Sequence, residues 1–445
     1  MPDQPLPQLL KTLDRDRLAA YDRNLRFYNG DQWPPARTAT ARRRLTLNYA
    51  RAAIDKITSN LIADRRLQIS PRAAGGAPAD AELAAARAAE LALADLSDLN
   101  SLPRLDYETE VDASVLGDGA YKVTWATNAA RVLITAPDPQ GLFAWRDPYD
   151  PALLTRLAHR YTIPAPEAAR FGVSTTRDAS AIEDWTATSL DLWVNDTRVS
   201  SEPNAYGFIP YAIFPNLPVP KSPWGLSDIT VIREVAEEMN RTFTALSRIL
   251  EVSGNPIAVL EGVEQSTDIA VEPGAIWDLP ERSKAYLLDL LAQGGVKIHL
   301  DYINDLYRAL HDLAELPRTA FGDNQRSLSG VALEIELRPL QQKVARKRVI
   351  RAQAYRRRAE MALALLDQYT GTTHSQAGAI TFSWGDVTPG DPTEAVARER
   401  SRVEAQLSTH KAAMARLGED DPDAEWAALL AEAADQPPPP PPTTP

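Results

Sequence analysis

Apolar residues at helical spacing predict a first helix over LAAYDRNLRFYNG, closed by Gly30, and a second over NYARAAIDKITSNLIA, where Ala50, Ile54, Ile57 and Leu61 share one face. The Gly-Asp-Gln-Trp-Pro-Pro between them reads as a turn followed by extended chain. An alanine-rich helix follows over Ala79–Leu96, and another over Pro103–Leu116 that stops at Gly117-Asp-Gly. Beyond that turn the period changes. AYKVTWAT, ARVLITAP, GLFAWRDP and TSLDLWVND carry the β-branched and aromatic residues of strands. The first ~220 residues therefore read as one mixed domain.

A proline-rich passage, Pro210–Pro223, predicts a separator before a helix that starts at Trp224-Gly-Leu-Ser-Asp with Ser227 or Asp228 as its cap. Ile229, Ile232, Val235, Ala236, Met239, Phe243 and Leu246 line one face of it as far as Leu250, and Gly254-Asn-Pro breaks it. Short strands and turns, IAVLEG and Glu272-Pro-Gly among them, fill Ile257–Leu279. Val296–Leu316 is helical again, with His299, Tyr302, Ile303, Leu306, Leu310 and Leu313 in register. A polar loop, LPRTAFGDNQRSLSG, then opens into the run Val331–Tyr369, ~58 Å long if continuous. Pro339 inside that run predicts a kink, with about 30 Å of helix on its C-terminal side. Ala379–Trp384 reads as a strand, Asp391–Leu417 as one amphipathic helix and Asp423–Ala434 as a short acidic one; QPPPPPPTTP cannot pack and reads as a disordered or polyproline II tail.

A chain of 445 residues with 44% apolar and 24% charged content has room for two to four globular domains. The absence of cysteine removes disulfides, thiolate zinc sites and cysteine nucleophiles together. No apolar run reaches the ~20 residues of a membrane span, and the N-terminus lacks the apolar core of a signal peptide, so a soluble intracellular protein with no membrane contact is expected. The net charge of −12 argues against a protein that grips nucleic acid over a broad surface, although an acidic protein can let DNA pass without holding it.

Catalytic signatures are missing. There is no GxxxxGK[ST], no GxGxxG after a strand and no GxSxG, so neither a phosphate loop nor a nucleophile elbow is predicted. Histidines 159, 299, 311, 374 and 410 form no HExxH; His299 and His311 stand too far apart on one helix to share a metal. With 60 carboxylates, pairs arise by chance. No enzyme activity, metal or cofactor is expected.

The order of elements and four stretches resemble the portal proteins of tailed bacteriophages, of the family typified by the SPP1 portal. Tyr28-Asn-Gly-Asp-Gln-Trp with Asn48-Tyr-Ala-Arg-Ala-Ala-Ile-Asp-Lys-Ile resembles the family's opening helices, and Gly117-Asp-Gly-Ala-Tyr-Lys-Val its turn into the first sheet. Gly225-Leu-Ser-Asp, Met239-Asn-Arg and Gly254-Asn-Pro resemble its first stem helix and exit, and Ser327-Leu-Ser-Gly-Val-Ala-Leu with the basic helix after it resembles the tunnel loop and tunnel helix. The fold this implies is α+β and multidomain. A mixed wing spans 1–224 and much of 331–390, which includes a long kinked tunnel helix; stem helices span 225–253 and 296–315, on either side of a small β-containing clip at 254–295. The tunnel loop is 316–330, a short helical crown 391–435 and the disordered tail 436–445.

The resemblance also implies a dodecameric ring at one capsid vertex of the virion, assembled in the host cytoplasm. Its partners are double-stranded DNA in transit without sequence readout, the terminase large subunit, head-completion or adaptor proteins, and the major capsid or scaffolding protein. Arg318, Asp323, Asn324, Gln325, Arg326 and Ser327 then form a polar collar around DNA, contacting phosphates alone. Eight cations from Lys343 to Arg358 go all the way round their helix; Lys343, Arg346, Lys347, Arg348 and Arg351 meet either DNA or acidic groups of neighbouring subunits. Glu234, Glu237, Glu238, Asp301, Asp305 and Asp312 form either a phosphate-repelling channel wall or an ordinary solvated stripe. Two readings stand beside the portal: a structural adaptor without a DNA channel, and an enzyme whose site is assembled from distant residues.

Overall fold

A computed structural model describes residues 5–34, 44–63, 65–71, 78–150, 153–254, 257–261, 284–288, 295–321, 330–385, 392–419 and 422–435. The chain opens with helices α1 (Leu6–Leu10), α2 (Arg15–Tyr28) and α3 (Tyr49–Ile62). Strand β1 (Arg65–Ser70) leads to α4 (Asp80–Leu99) and α5 (Leu102–Leu116). Strands β2 (Asp118–Ala126), β3 (Arg131–Thr135), β4 (Leu142–Arg146) and β5 (Leu154–Ile163) come next, then α6 (Ala165–Arg170). They are followed by β6 (Ala179–Thr186), β7 (Ser189–Val194), β8 (Thr197–Pro203) and β9 (Tyr211–Pro215). Helix α7 (Asp228–Gly254), strands β10 (Ile257–Glu261) and β11 (Lys284–Leu288), and helices α8 (Gly295–Ala314) and α9 (Gly330–Thr370) make up the next part. Strand β12 (Ala379–Trp384) and helices α10 (Pro392–Glu404), α11 (His410–Leu417) and α12 (Pro422–Asp435) end it.

The protein is thus α+β and multidomain, as its pattern predicts. It divides into two compact units, one of residues 1–61 with 69–381 and one of residues 62–68 with 382–445. The first is built in layers. An antiparallel sheet in the order β3-β2-β9 packs against a five-stranded antiparallel meander, β4-β5-β6-β7-β8, through Ala120, Leu142, Leu157, Trp185, Ile209 and Tyr211. The residues next along the meander point the other way: Phe143, Ala158 and Ile182 receive Leu6 and Leu10 of α1. On the far side of the three-stranded sheet lies α9, with Tyr355 against Tyr121 and Arg351 over Phe214.

One polar stitch crosses between the two sheets. Glu183 of β6 accepts both contacts of Lys122 Nζ from β2, at 2.7 and 2.8 Å, together with bonds from Tyr161, Trp185 and Tyr211. Burial raises the Glu183 pKa, but Lys122 beside it more than offsets that and holds it below the usual carboxylate range. His159 Nδ1 stands 3.1 Å from the Tyr211 hydroxyl, and burial, reinforced by Lys122, lowers the imidazole to about 4.

Three expectations are corrected. Pro210–Pro223 is no separator, because Tyr211–Pro215 pairs antiparallel with β2; its prolines fall where a strand tolerates them, Pro210 lending only its carbonyl to Val123 N–H. Asp391–Leu417 is two helices, broken where Gln406 takes φ +58°. The run through Pro339 stays helical over all 41 residues, about 61 Å along its path, so the proline does not end the helix. Strands β1, β5, β6, β8 and β11 escaped the pattern. The clusters beneath the meander take residues of β5 and β6 on both faces, which leaves no clean alternation to read. The predicted turn at Glu272-Pro-Gly and the tail 436–445 lie outside the described residues.

The two glycine turns that flank β2 and α7 meet in space. A Cβ on Gly225 would stand 2.3 Å from the Gly117 carbonyl oxygen and 2.8 Å from Asn216 N, and Gly117 itself holds φ +120°. Gly225→Ala is therefore expected to cost about 1–3 kcal/mol of stability in urea unfolding, as an overpacked site with backbone on both sides. Acid lability checks the stitch. With its folded pKa lowered, His159 binds its proton only in the unfolded chain between about 4 and the ordinary 6.5, so stability rises with pH across that window. His159→Gln is expected to flatten the dependence of the urea midpoint on pH over the same range.

Candidate functional site

Where α7 leaves the sheets, an ion network fills the interior. Ser227 caps the helix, its Oγ accepting from Ile229 N–H at 3.1 Å and donating to the Ser114 carbonyl of α5 at 3.0 Å. Asp228, the first helical residue, is buried between two lysines of α9: Lys343 Nζ lies 2.8 Å from Oδ1 and Lys347 Nζ 2.6 Å from Oδ2. Lys343 spends a further proton on the Ala314 carbonyl at the end of α8, and Lys347 one on Ser114 Oγ. One turn on, Arg351 holds Glu110 of α5 by two bonds of 2.7 and 2.8 Å and donates to the carbonyls of Pro215 and Asn216. Arg358 pairs with buried Asp106 and lies 4.4 Å over the Tyr121 ring.

Burial alone would raise the Asp228 carboxyl, but Lys347 and Lys343 overcome it and hold the group well below the ordinary carboxylate range. Burial pushes the Lys347 ammonium down, and Asp228 and Glu110 oppose that. Beside the network, Asp118 Oδ1 accepts Gly225 N–H at 2.9 Å and its other oxygen accepts the Tyr21 hydroxyl, while Arg17 stacks over Trp224 at 3.9 Å. Helices α2, α5, α7, α8 and α9, strands β2 and β9 and the two glycine turns therefore converge at the root of α7.

The geometry corrects the reading of the basic helix. Lys343, Lys347 and Arg351 recur every four residues and so form one stripe, which faces inward and is saturated within the chain; they have no surface to offer DNA. Arg346 is exposed and grips both oxygens of Glu315 at 2.6 Å, and Arg348 donates to the Asn60 carbonyl. Arg318 begins a short 3-10 turn, with its guanidinium 5.8 Å from the Tyr307 ring. Asp323, Asn324, Gln325, Arg326 and Ser327 lie outside the described residues. The network's carboxylates were missed because their partners are more than a hundred residues away. The one local sign was an acid pair, Asp106 and Glu110, on the apolar face of Leu102, Leu105 and Ala113.

From that root, α7 and α8 run packed along each other, with β10 and β11 paired antiparallel between them in sequence. Ile229, Ile232, Ala236 and Met239 bury the near part of α7, whereas further out Leu250, Ile298 and Leu300 are exposed, Ile298 by 71%. The acidic set lies on the surface of this pair. Glu234, Asp301 and Asp312 are exposed, Asp305 sits 3.5 Å from Arg308, and Glu237 and Glu238 share Arg241 at 3.6 and 3.2 Å. Surface pairs of this kind contribute about 0–1 kcal/mol, so these carboxylates are not what holds the helices together.

The chain matches the family model described as phage portal protein, SPP1 Gp6-like, over residues 9–438. It belongs to that family of phage portal proteins. No curated protein matches it. In this portal, among the described residues, no group of three His, Cys, Asp or Glu side chains could hold a metal ion, and no helix is long and apolar enough to cross a membrane.

The network makes the portal subunit sensitive to substitution at Asp228. Asp228→Asn strands two ammonium groups in the interior and is expected to cost about 3–5 kcal/mol, with Lys347→Met on the same background restoring part of it; urea unfolding of the four variants of the cycle measures both terms.

Proposed function

We propose that this chain is the subunit of a ring-shaped channel at a capsid vertex, through which DNA is packaged and ejected. The family match over nearly the whole chain carries the proposal. The paired helices α7 and α8 are the stem, the segment between them is the clip and docks the terminase large subunit, and 316–330 is the tunnel loop. Residues 1–224 and 331–390 make the wing, 391–435 the crown and 436–445 a tail. Head-completion or adaptor proteins bind later, and capsid or scaffolding protein surrounds the ring, which assembles in the host cytoplasm before it enters the virion.

Two surface properties support this reading. Val231, Leu250, Ile298, Leu300, Tyr302 and Leu313 leave apolar area exposed on the stem, which neighbouring copies would cover. The carboxylates of the same helices give the passage a wall that repels phosphate and does not retain DNA. The mechanism is geometric, with no catalytic group: the subunit contributes a narrow, non-adhesive passage, and the docked motor hydrolyses nucleotide.

Negative-stain electron microscopy with mass photometry tests the proposal. Rings with a central hole and, for a dodecamer of 48.8 kDa subunits, a mass of about 590 kDa are expected. A chain that stays monomeric at every concentration and salt would overturn it in favour of an adaptor without a channel.

A further inference from the structure

The three-stranded sheet ends at β9, whose outer edge pairs with no strand among the described residues. On β9, Ala212 and Phe214 turn toward α9 while Tyr211 and Ile213 turn toward the meander, and the inner edge is paired with β2 throughout. The register fixes what the outer edge offers. Val123 N–H reaches Pro210 O at 2.9 Å and Asn216 N–H reaches Gly117 O at 2.7 Å, so even-numbered residues bond inward and odd-numbered ones point their backbone groups outward. Of the outward groups, Arg351 takes the Pro215 carbonyl and Ile209 O takes Tyr211 N–H. The N–H and C=O of Ile213 have no hydrogen-bond partner among the described residues.

A cleft of about 590 Å³ opens beside that edge. All of residues 211–215 border it, odd and even alike, which a strand does only when it presents its edge. The lining also takes in a stripe of α9 at helical spacing, Ile350, Gln353, Ala354 and Arg357, about 10 Å long, together with Leu153 and Leu154. The lining is mostly apolar and includes two cations. Arg357 lies 5.7 Å over the Phe208 ring and has no carboxylate partner among the described residues; Arg146 is the second cation, against one bordering carboxylate, Asp150.

We propose that this cleft is a docking groove for an extended segment of another protein, which adds as a fourth strand to the free edge of β9 and sets an acidic side chain against Arg357. An added strand lies about 4.8 Å from β9, and the length of the groove accommodates three or four residues at ~3.4 Å each. The incoming backbone satisfies Ile213, side chains of one parity pack on α9, and those of the other parity meet Leu153 and Leu154. The partner is therefore apolar at alternate positions and carries a carboxylate. Proline fits poorly, since it cannot donate to the edge. The groove is independent of the channel reading, because it is built within the sheets and α9 alone.

The test uses the full chain and a fluorescent, N-acetylated peptide of sequence TVEVTVE. Saturable binding by anisotropy is expected, with slowed hydrogen exchange at the Ile213 amide. Binding should weaken roughly tenfold or more with the exposed-site variant Arg357→Glu, and likewise with a peptide N-methylated at alternate amides. Absent binding, or equal binding of the methylated peptide, overturns the proposal. So does peptide binding that disappears as the protein self-associates, which would mean that a second copy covers the edge.

Discussion

The Asp228 carboxylate, held between Lys343 and Lys347, is the constraint on which the rest of the subunit depends. It stands at the first turn of α7, where free backbone N–H groups also favour a negative charge. Through its two lysines it fixes α7 to α9, to the end of α8 by the Ala314 carbonyl, and to α5 by Ser114. Removing charges from water is costly, and the cost is recovered only because each charge finds both an opposite charge and further hydrogen bonds. Arg351 shows the same economy, with both Glu110 oxygens and three acceptors around Asn216 occupied at once. The consequence is positional: the direction in which the helix pair leaves the sheets is set by a network inside one chain.

This arrangement separates two uses of charge. Four of the eight cations of α9 between Lys343 and Arg358 (Lys343, Lys347, Arg351 and Arg358) are buried, so only half of the positive run in the sequence is left to the surface. Apart from Asp228, the acidic residues singled out on α7 and α8, Glu234, Glu237, Glu238, Asp301, Asp305 and Asp312, stay at the surface. The helix pair thus carries surface carboxylates partly offset by exposed Arg241 and Arg308, while the buried cations of α9 are neutralised inside the subunit.

Most helices were legible because each carries an apolar stripe with a capping or glycine stop: α3, α4, α5, α7 and α8 fall within a few residues of the pattern, and Gly117 and Ser227 mark their boundaries. The sheets were less so. Strand β9 hides among prolines whose harmless placement depends on which edge is paired, and β5 and β6 pack on both faces and lose alternation. The ion network was the least legible part. A lysine that recurs every four residues looks solvated until Asp228 and Glu110, 115 and 241 residues from Lys343 and Arg351 along the chain, are brought beside it. The motifs Gly117-Asp-Gly and Gly225-Leu-Ser-Asp were recognisable as strings, but that they touch is a property of three dimensions.

The account's central claim is that this network belongs to the single subunit and precedes assembly. Hydrogen exchange followed by mass spectrometry, on dilute protein shown to be monomeric and on the assembled form, tests it directly. Slow exchange over 106–118, 228–240 and 343–358 in both states is the predicted result, with protection gained on assembly confined to segments outside the network. Fast exchange of those three stretches in the monomer, slowed only by assembly, would contradict it.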